Sequence, residues 1–142
     1  DLGRLSGDNF SFSATVKNVF DDRWAVCQTM SIYFIGSTGA MIIPFSKIGC
    51  SSDNNLMLND TYLRGKEHDL SPLSADFSDS VELSIQVEKK KVSILMGGKE
   101  VYTEEYKESM GKLVGARIKF KGLGEVLDFK LKDQNGELVP LQ

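Results

Sequence analysis

The residues best suited to catalysis in this sequence are the carboxylic acids on predicted strands. Glycoside hydrolysis uses two carboxyl groups, about 5–5.5 Å apart for retention or about 6.5–9.5 Å apart for inversion. Glu82 and Glu88 lie in one strand pattern, where six residues span roughly 20 Å. Glu100 and Glu104 share the predicted face of Tyr102 and still lie roughly 13 Å apart. We therefore expect no enzyme and no catalytic residue, with a glycoside hydrolase as the alternative.

A ligand-binding site is predicted in the turn that follows the first strand pattern. Asp21, Asp22, Arg23 and Trp24 combine one aromatic ring with charged side chains that form hydrogen bonds. A sugar presents a C–H face that packs on such a ring, and its hydroxyl groups bind to Asp, Asn or Arg. The alternative for Trp24 is a place in the core, where a tryptophan at the start of a strand often packs.

Metal chemistry has little basis in the sequence. One histidine, His68, and two separated cysteines do not make a zinc ligand set. Oxygen ligands that suit calcium occur at 21–22, 53–55 and 59–60, but without the spacing of a calcium-binding loop. We predict no cofactor, with calcium as the alternative.

The two cysteines, Cys27 and Cys50, lie 23 positions apart (50 − 27 = 23). In an exported protein such a pair favours a disulfide, worth roughly 3 kcal/mol, and in a cytosolic one it favours two buried thiols. Cys27 lies in a predicted strand and Cys50 lies just beyond the next one. Adjacent strands can therefore bring their Cα atoms within the roughly 4.4–6.8 Å that a bridge requires. We predict the Cys27–Cys50 disulfide.

Length and composition describe one soluble domain that spans residues 1–142. Of its 142 residues, 41% are hydrophobic and 26% are charged, which is typical of a globular protein. No apolar run approaches the roughly 18 residues of a spanning helix, so we expect no membrane insertion by this segment. The net charge is −3, without the basic face that nucleic acid requires. Because the chain starts at Asp1, we expect a fragment of a longer exported protein.

Alternation of apolar and polar residues is the dominant pattern along the chain. It is clearest at 10–16, 81–87, 92–96 and 127–131, and it predicts strands that are buried on one side only. One short helical turn is predicted over 106–113. The Lys89–Lys91 cluster is interpreted as a solvated hairpin tip. About ten short strands with regular turn signals predict an all-β sandwich or barrel.

The second half of the chain resembles the concanavalin A-like lectin and glucanase superfamily, particularly its laminin-G-like and pentraxin-like branches. The resemblance is carried by "VSILMGGKEV" at 92–101 and by the glycine-led return "IKFKGLGEVLDFKL" at 118–131. It implies a two-sheet antiparallel jelly-roll sandwich. Galectin-type sugar motifs, with His, Asn and Arg on one strand, are absent, so their site residues are not carried over.

The resemblance also implies a function and a location. Members of the superfamily are commonly secreted and bind glycans or proteins. We therefore expect a noncatalytic, lectin-like binding module in the periplasm, at the cell surface or outside the cell. Its ligand would be a glycan or a protein. The alternative is a structural accessory domain of a larger cell-surface protein that binds nothing itself.

The predicted disulfide has a direct chemical test. Protein made under oxidising conditions and unfolded without a reductant is expected to show no free thiol in a titration, and two thiols after reduction. Two free thiols before reduction would contradict the bridge.

Overall fold

The computed structural model describes residues 5–19, 29–120 and 123–139. Within these residues the chain forms ten strands. They are β1 Asn9–Val19, β2 Thr29–Gly36, β3 Ala40–Ser46, β4 Asn55–Leu58, β5 Thr61–Arg64, β6 Val81–Glu88, β7 Lys91–Met96, β8 Lys99–Glu105, β9 Leu113–Phe120 and β10 Leu123–Asp133. The only helical elements among the described residues are two single turns of 3₁₀ helix, Ser51–Asp53 and Ser71–Leu73.

The strands form two antiparallel sheets of five strands each. Sheet I has the order β10-β1-β6-β7-β8, and sheet II has the order β5-β4-β3-β2-β9. Strands β2 to β5 follow one another across sheet II, whereas β9 returns to pair with β2, and β10 returns to pair with β1. The predicted all-β, two-sheet antiparallel sandwich is confirmed.

The inner faces of both sheets bury one continuous apolar core. Because successive residues of a strand point to opposite faces, every second residue of β1 from Phe10 to Val16 is buried. Phe34 of β2 packs edge-on against Phe10 and Phe12, with ring centroids 4.9 and 5.4 Å apart. These contacts join sheet I to sheet II, and the sequence pattern predicted the buried face of β1 correctly.

Two hairpin turns follow the predicted pattern with differences in detail. Lys89 and Lys90 form the tip between β6 and β7, as expected. The Asn135-Gly136 turn closes a hairpin in which the Asp133 amide donates to the Glu137 carbonyl at 2.9 Å. Its three-residue loop ends in Gly136 at φ 79°, which is a bulged turn and differs from the two-residue turn expected from Asn-Gly.

The middle of the chain contains two short strands, β4 and β5, as predicted. Pro44 pairs with Ser31 of β2 on one side, while β4 pairs only with Met41 and Ile42 on the other. Pro44 therefore lies beyond the end of β4, where β3 is locally at a sheet edge and a missing amide is tolerated.

The predicted helical turn over 106–113 is wrong. Residues 106–111 form a loop without helical hydrogen bonds, and β9 begins at Leu113. The loop forms hydrogen bonds with other segments of the chain and none of the helical kind within itself. Thr38 donates from its hydroxyl to the Ser109 carbonyl at 3.0 Å, and the Thr38 amide donates to the Met110 carbonyl at 3.1 Å.

The carboxylate of Asp8 fixes this loop to the start of β1. It accepts hydrogen bonds from the hydroxyl of the buried Tyr106 at 2.6 Å, from the Met110 amide at 3.0 Å and from the Ser109 hydroxyl. Burial disfavours the charged form of Asp8, but the hydrogen bonds from Ser109, Tyr106 and Met110 outweigh it and lower the pKa of Asp8 below 3.8. The ionised form of Asp8 therefore stabilises the folded state.

No helix within the described ranges is long and apolar enough to cross a membrane.

Replacing Asp8 by Asn is expected to lower the free energy of unfolding by about 1–3 kcal/mol at neutral pH, because the charged acceptor of three donors is lost. The wild-type advantage should be complete above the unfolded pKa of about 3.9 and should shrink as pH falls through the lower folded pKa. Urea unfolding of both proteins between about pH 3 and pH 7 measures this.

Asp79→Asn is the matched control, because Asp79 is exposed. It should leave stability within about 0.5 kcal/mol of the wild type. A gap between wild type and Asp8→Asn that stays constant down to pH 3 would contradict a role for the charge.

Candidate functional site

A row of side chains crosses the outer face of sheet II from edge to edge. The pairing register aligns one residue from each strand: Tyr62 with Met57, Met57 with Ile42, Ile42 with Tyr33, and Tyr33 with Arg117. Directly opposed residues of an antiparallel pair lie on the same face. We call these five residues the cross-strand row.

A second set of side chains lies two residues along each strand and on the same face. Ser31 of β2 lies between Pro44 of β3 and Lys119 of β9. Asn55 of β4 lies opposite Arg64 of β5. These residues add hydroxyl, amide and ammonium groups beside the mostly apolar cross-strand row.

Apart from Arg64 and Arg117, the residues of the two sets line a shallow groove of about 480 Å³, which is within the usual range for a ligand site. Its lining residues are Thr29, Ser31, Tyr33, Ile42, Pro44, Asp53, Asn54, Asn55, Met57, Tyr62 and Lys119. The groove therefore has an apolar floor with aromatic and hydrogen-bonding groups around it. We call it the sheet II groove.

Two tyrosines give the groove its aromatic surface. Tyr62, on edge strand β5, is 56% exposed, so much of its ring is accessible to a ligand. Tyr33 is half-buried on β2, next to edge strand β9, and the Arg117 guanidinium lies 5.8 Å from its ring centroid. This distance is within the range of a cation–π contact, which orients the arginine along the sheet.

One wall of the groove is built from the 3₁₀ turn before β4. Asn54 is buried. Its backbone amide donates to the Ser51 carbonyl at 3.1 Å, and its backbone carbonyl accepts from the Gly65 amide at 2.7 Å. Its side-chain Nδ2 has no hydrogen-bond partner among the described residues. A buried donor without a partner is costly, so the side chain of Asn54 lowers the stability of this wall.

Gly65 permits this wall to lie close to the end of β5. A Cβ atom at Gly65 would lie 2.4 Å from the Ser51 carbonyl oxygen and 2.5 Å from that of Asn54. No side chain fits there without moving the backbone of the wall. The glycine is required by close approach, because its φ is not in the left-handed region.

The site residues predicted from sequence, Asp21, Asp22, Arg23 and Trp24, lie outside the described residues, so that prediction stays open. The sheet II groove was missed. The sequence offers Tyr33 and Tyr62, together with the other two tyrosines, Tyr102 and Tyr106, as candidates for sugar stacking, but it does not give the register that brings Tyr33 and Tyr62 into one row. The alternation within β2 and β3 places residues on a face, but it does not pair them across strands.

The two acids of β8, Glu100 and Glu104, do not share a face as predicted. The pairing of β8 with β7 skips Val101, which forms a bulge. Glu104 lies opposite the buried Val92, whereas Glu100 lies opposite Leu95 on the outer face. The prediction that both acids share a face is wrong, because a bulge shifts the alternation by one residue. Neither acid lines the sheet II groove.

The oxygen-rich turn at 59–60, one of the possible calcium ligand sets, binds backbone groups. The Asn59 amide group donates to the Glu108 carbonyl at 2.6 Å, and the Asp60 carboxylate accepts from the Lys107 amide at 3.0 Å. That hydrogen bond from Lys107 is the main reason that the pKa of Asp60 is lowered. Across 5–19, 29–120 and 123–139, no three His, Cys, Asp or Glu side chains are grouped to hold a metal ion.

Cys50 is buried at the end of the loop after β3, and the described residues contain no free cysteine. Its predicted partner, Cys27, lies outside the described residues. The bridge therefore stays a prediction for the thiol titration.

Compared with protein-family models and with curated proteins, the chain matches none. The assignment of a site therefore rests on the geometry of the sheet II groove.

Gly65→Ala is expected to lower the free energy of unfolding by about 1–3 kcal/mol, because the new methyl group overlaps two carbonyl oxygens of the groove wall. Gly115→Ala is the matched control. Gly115 is also a glycine of sheet II, and a Cβ atom there meets nothing within 4 Å. Urea unfolding of the three proteins measures the difference. Equal stability of the two variants would contradict the close contact.

Proposed function

We propose that this domain is a noncatalytic glycan-binding module whose ligand lies in the sheet II groove. The observation that carries the proposal is the exposed ring of Tyr62 beside an apolar floor and amide groups. A sugar needs this combination, because its C–H face packs on an aromatic ring while its hydroxyl groups require hydrogen-bond partners.

The hydrogen-bonding groups are placed on both sides of the apolar floor. Asn55 is exposed on β4, next to Met57 along the outer face, and Ser31 lies across the sheet on β2. Sugar hydroxyl groups both donate and accept, so a mixed set of amide and hydroxyl groups suits them better than a purely apolar surface.

The groove supports binding better than hydrolysis. Among its described lining residues, Asp53 is the single carboxylic acid. Retaining and inverting glycosidases both use a pair of carboxyl groups across the scissile bond. A noncatalytic module is therefore the function that the lining favours.

An extracytoplasmic location belongs to the same proposal. Glycans are abundant on cell surfaces and outside cells, and the predicted Cys27–Cys50 bridge would persist only in an oxidising compartment. The location is supported by the resemblance of the second half of the chain, and the bridge is supported by the lack of a free cysteine among the described residues.

Tyr62→Ala is expected to weaken binding of any glycan retained by the wild type by about 1–2 kcal/mol, by analogy with aromatic contacts elsewhere. The melting temperature should change little, because the ring is 56% exposed. A glycan array selects the ligand, and calorimetric titration with that ligand measures the affinities.

Leu127→Ala is the matched control, since Leu127 of β10 is 54% exposed and belongs to sheet I. It should leave the affinity unchanged. Equal loss in both variants, or no loss in Tyr62→Ala, would place the ligand elsewhere, and Trp24→Ala then tests the predicted turn. Release of reducing ends from a bound polysaccharide would contradict the noncatalytic assignment.

A further inference from the structure

We infer that the sheet II groove selects an acidic oligosaccharide and places an anionic group of that ligand over β9. This inference rests on the proposed function and adds the chemical class of the ligand. It comes from the two ends of the cross-strand row: one end carries the uncharged ring of Tyr62, and the other end carries the cation Arg117.

Two exposed cations lie on β9 at this side of the groove: Lys119 lines the groove, and Arg117 lies beside it, opposite the lining residue Tyr33. They lie on one face, two residues apart, opposite Tyr33 and Ser31 of β2. No described carboxylate forms an ion pair with either side chain; the only ion pair within the described residues joins Arg64 and Glu67. Both cations are therefore available to a ligand.

The contact between Arg117 and Tyr33 also fixes where the charge lies. The guanidinium carbon lies over the Tyr33 ring, 5.8 Å from its centroid, so the charge lies beside a residue that lines the groove. Its N–H groups can then bind a carboxylate or sulfate with two parallel hydrogen bonds. Lys119 adds a second, flexible donor beside it.

The positive charge at β9 is local, because the protein as a whole is acidic. The chain has a net charge of −3, so a general attraction for anions is not expected. A local pair of cations next to a groove concentrates anionic ligands there and repels cationic ones.

The opposite end of the row has the chemistry of a sugar platform. Tyr62 on β5 and Arg117 on β9 are separated by four strand spacings, roughly 19 Å at about 4.8 Å each. A single sugar ring does not span that distance. A ligand that contacts both ends is therefore an oligosaccharide, with one ring on Tyr62 and an acidic unit over β9.

The test compares three probes of equal length by calorimetric titration: oligogalacturonate, the same oligomer with its carboxyl groups methyl-esterified, and a sulfated neutral oligosaccharide. The acidic probes are expected to bind about tenfold tighter than the ester at about 20 mM salt. That advantage should largely disappear at about 0.5 M salt. The two acidic probes separate a preference for carboxylate from one for sulfate.

The double variant Arg117→Gln, Lys119→Gln is expected to lose the preference for the acidic probes, so that acid and ester bind with about equal affinity. Lys91→Gln, Lys99→Gln is the control, because these lysines are exposed on sheet I. Both double variants carry a net charge of −5 (−3 − 2 = −5). Loss of the preference in the control as well would overturn the inference, since net charge alone would then explain it.

Equal binding of acid and ester by the wild type would overturn the inference and leave the proposed function intact. Binding of no saccharide, in this titration or on the array, would overturn both, and a protein ligand for the groove would then be the alternative. A preference that survives Arg117→Gln, Lys119→Gln would also overturn the inference.

Discussion

The fold depends on contact between two surfaces that share no hydrogen-bonded strand. Each sheet satisfies its own backbone, so the sandwich is held by burial of the two inner faces. Phe34 contacts both Phe10 and Phe12 at this junction. Such aromatic contacts contribute about 0.5–1.5 kcal/mol beyond the area that they bury. This internal contact also positions the side chains of the outer faces, including those of the sheet II groove. A strand that buries one row of side chains in the core exposes the alternate row on the outer face of its sheet.

The two outer faces use the same alternation for different purposes. In sheet I the residues that point outward from β1 and β6 are small and polar or charged, such as Ser11, Ser13 and Gln86, which suit contact with water. In sheet II the outward residues of β2 to β4 include Tyr33, Ile42 and Met57. Half-buried apolar groups on an outward face are the stronger indication of a binding surface. The chemical difference between the two outer faces thus follows from which residues of each strand point outward.

Much of the fold could be predicted from the sequence, because alternation is a local property. The buried face of β1, the β6–β7 hairpin and the two short strands of the middle segment all followed from neighbouring residues. The bulge at Val101 could not be predicted, since no glycine or proline marks it, and it changes the face of Glu100. The cross-strand row depends on register between segments far apart in the chain, as between Tyr33 and Arg117. The predicted turn at 21–24 stays untested by the structure.

The tip between β6 and β7 has a consequence for how this protein can be studied. Lys89 and Lys90 have positive φ values of 50° and 65°, a conformation that costs roughly 1–2 kcal/mol per residue for side chains other than glycine or asparagine. The hairpin forms nonetheless, so its β6–β7 ladder and buried face outweigh the strain. The molecule is therefore not at its stability optimum. Replacing Lys89 and Lys90 by asparagine and glycine should raise the stability of the protein without touching the groove. Such a stabilised background can keep weakened binding-site variants folded while their affinities are measured.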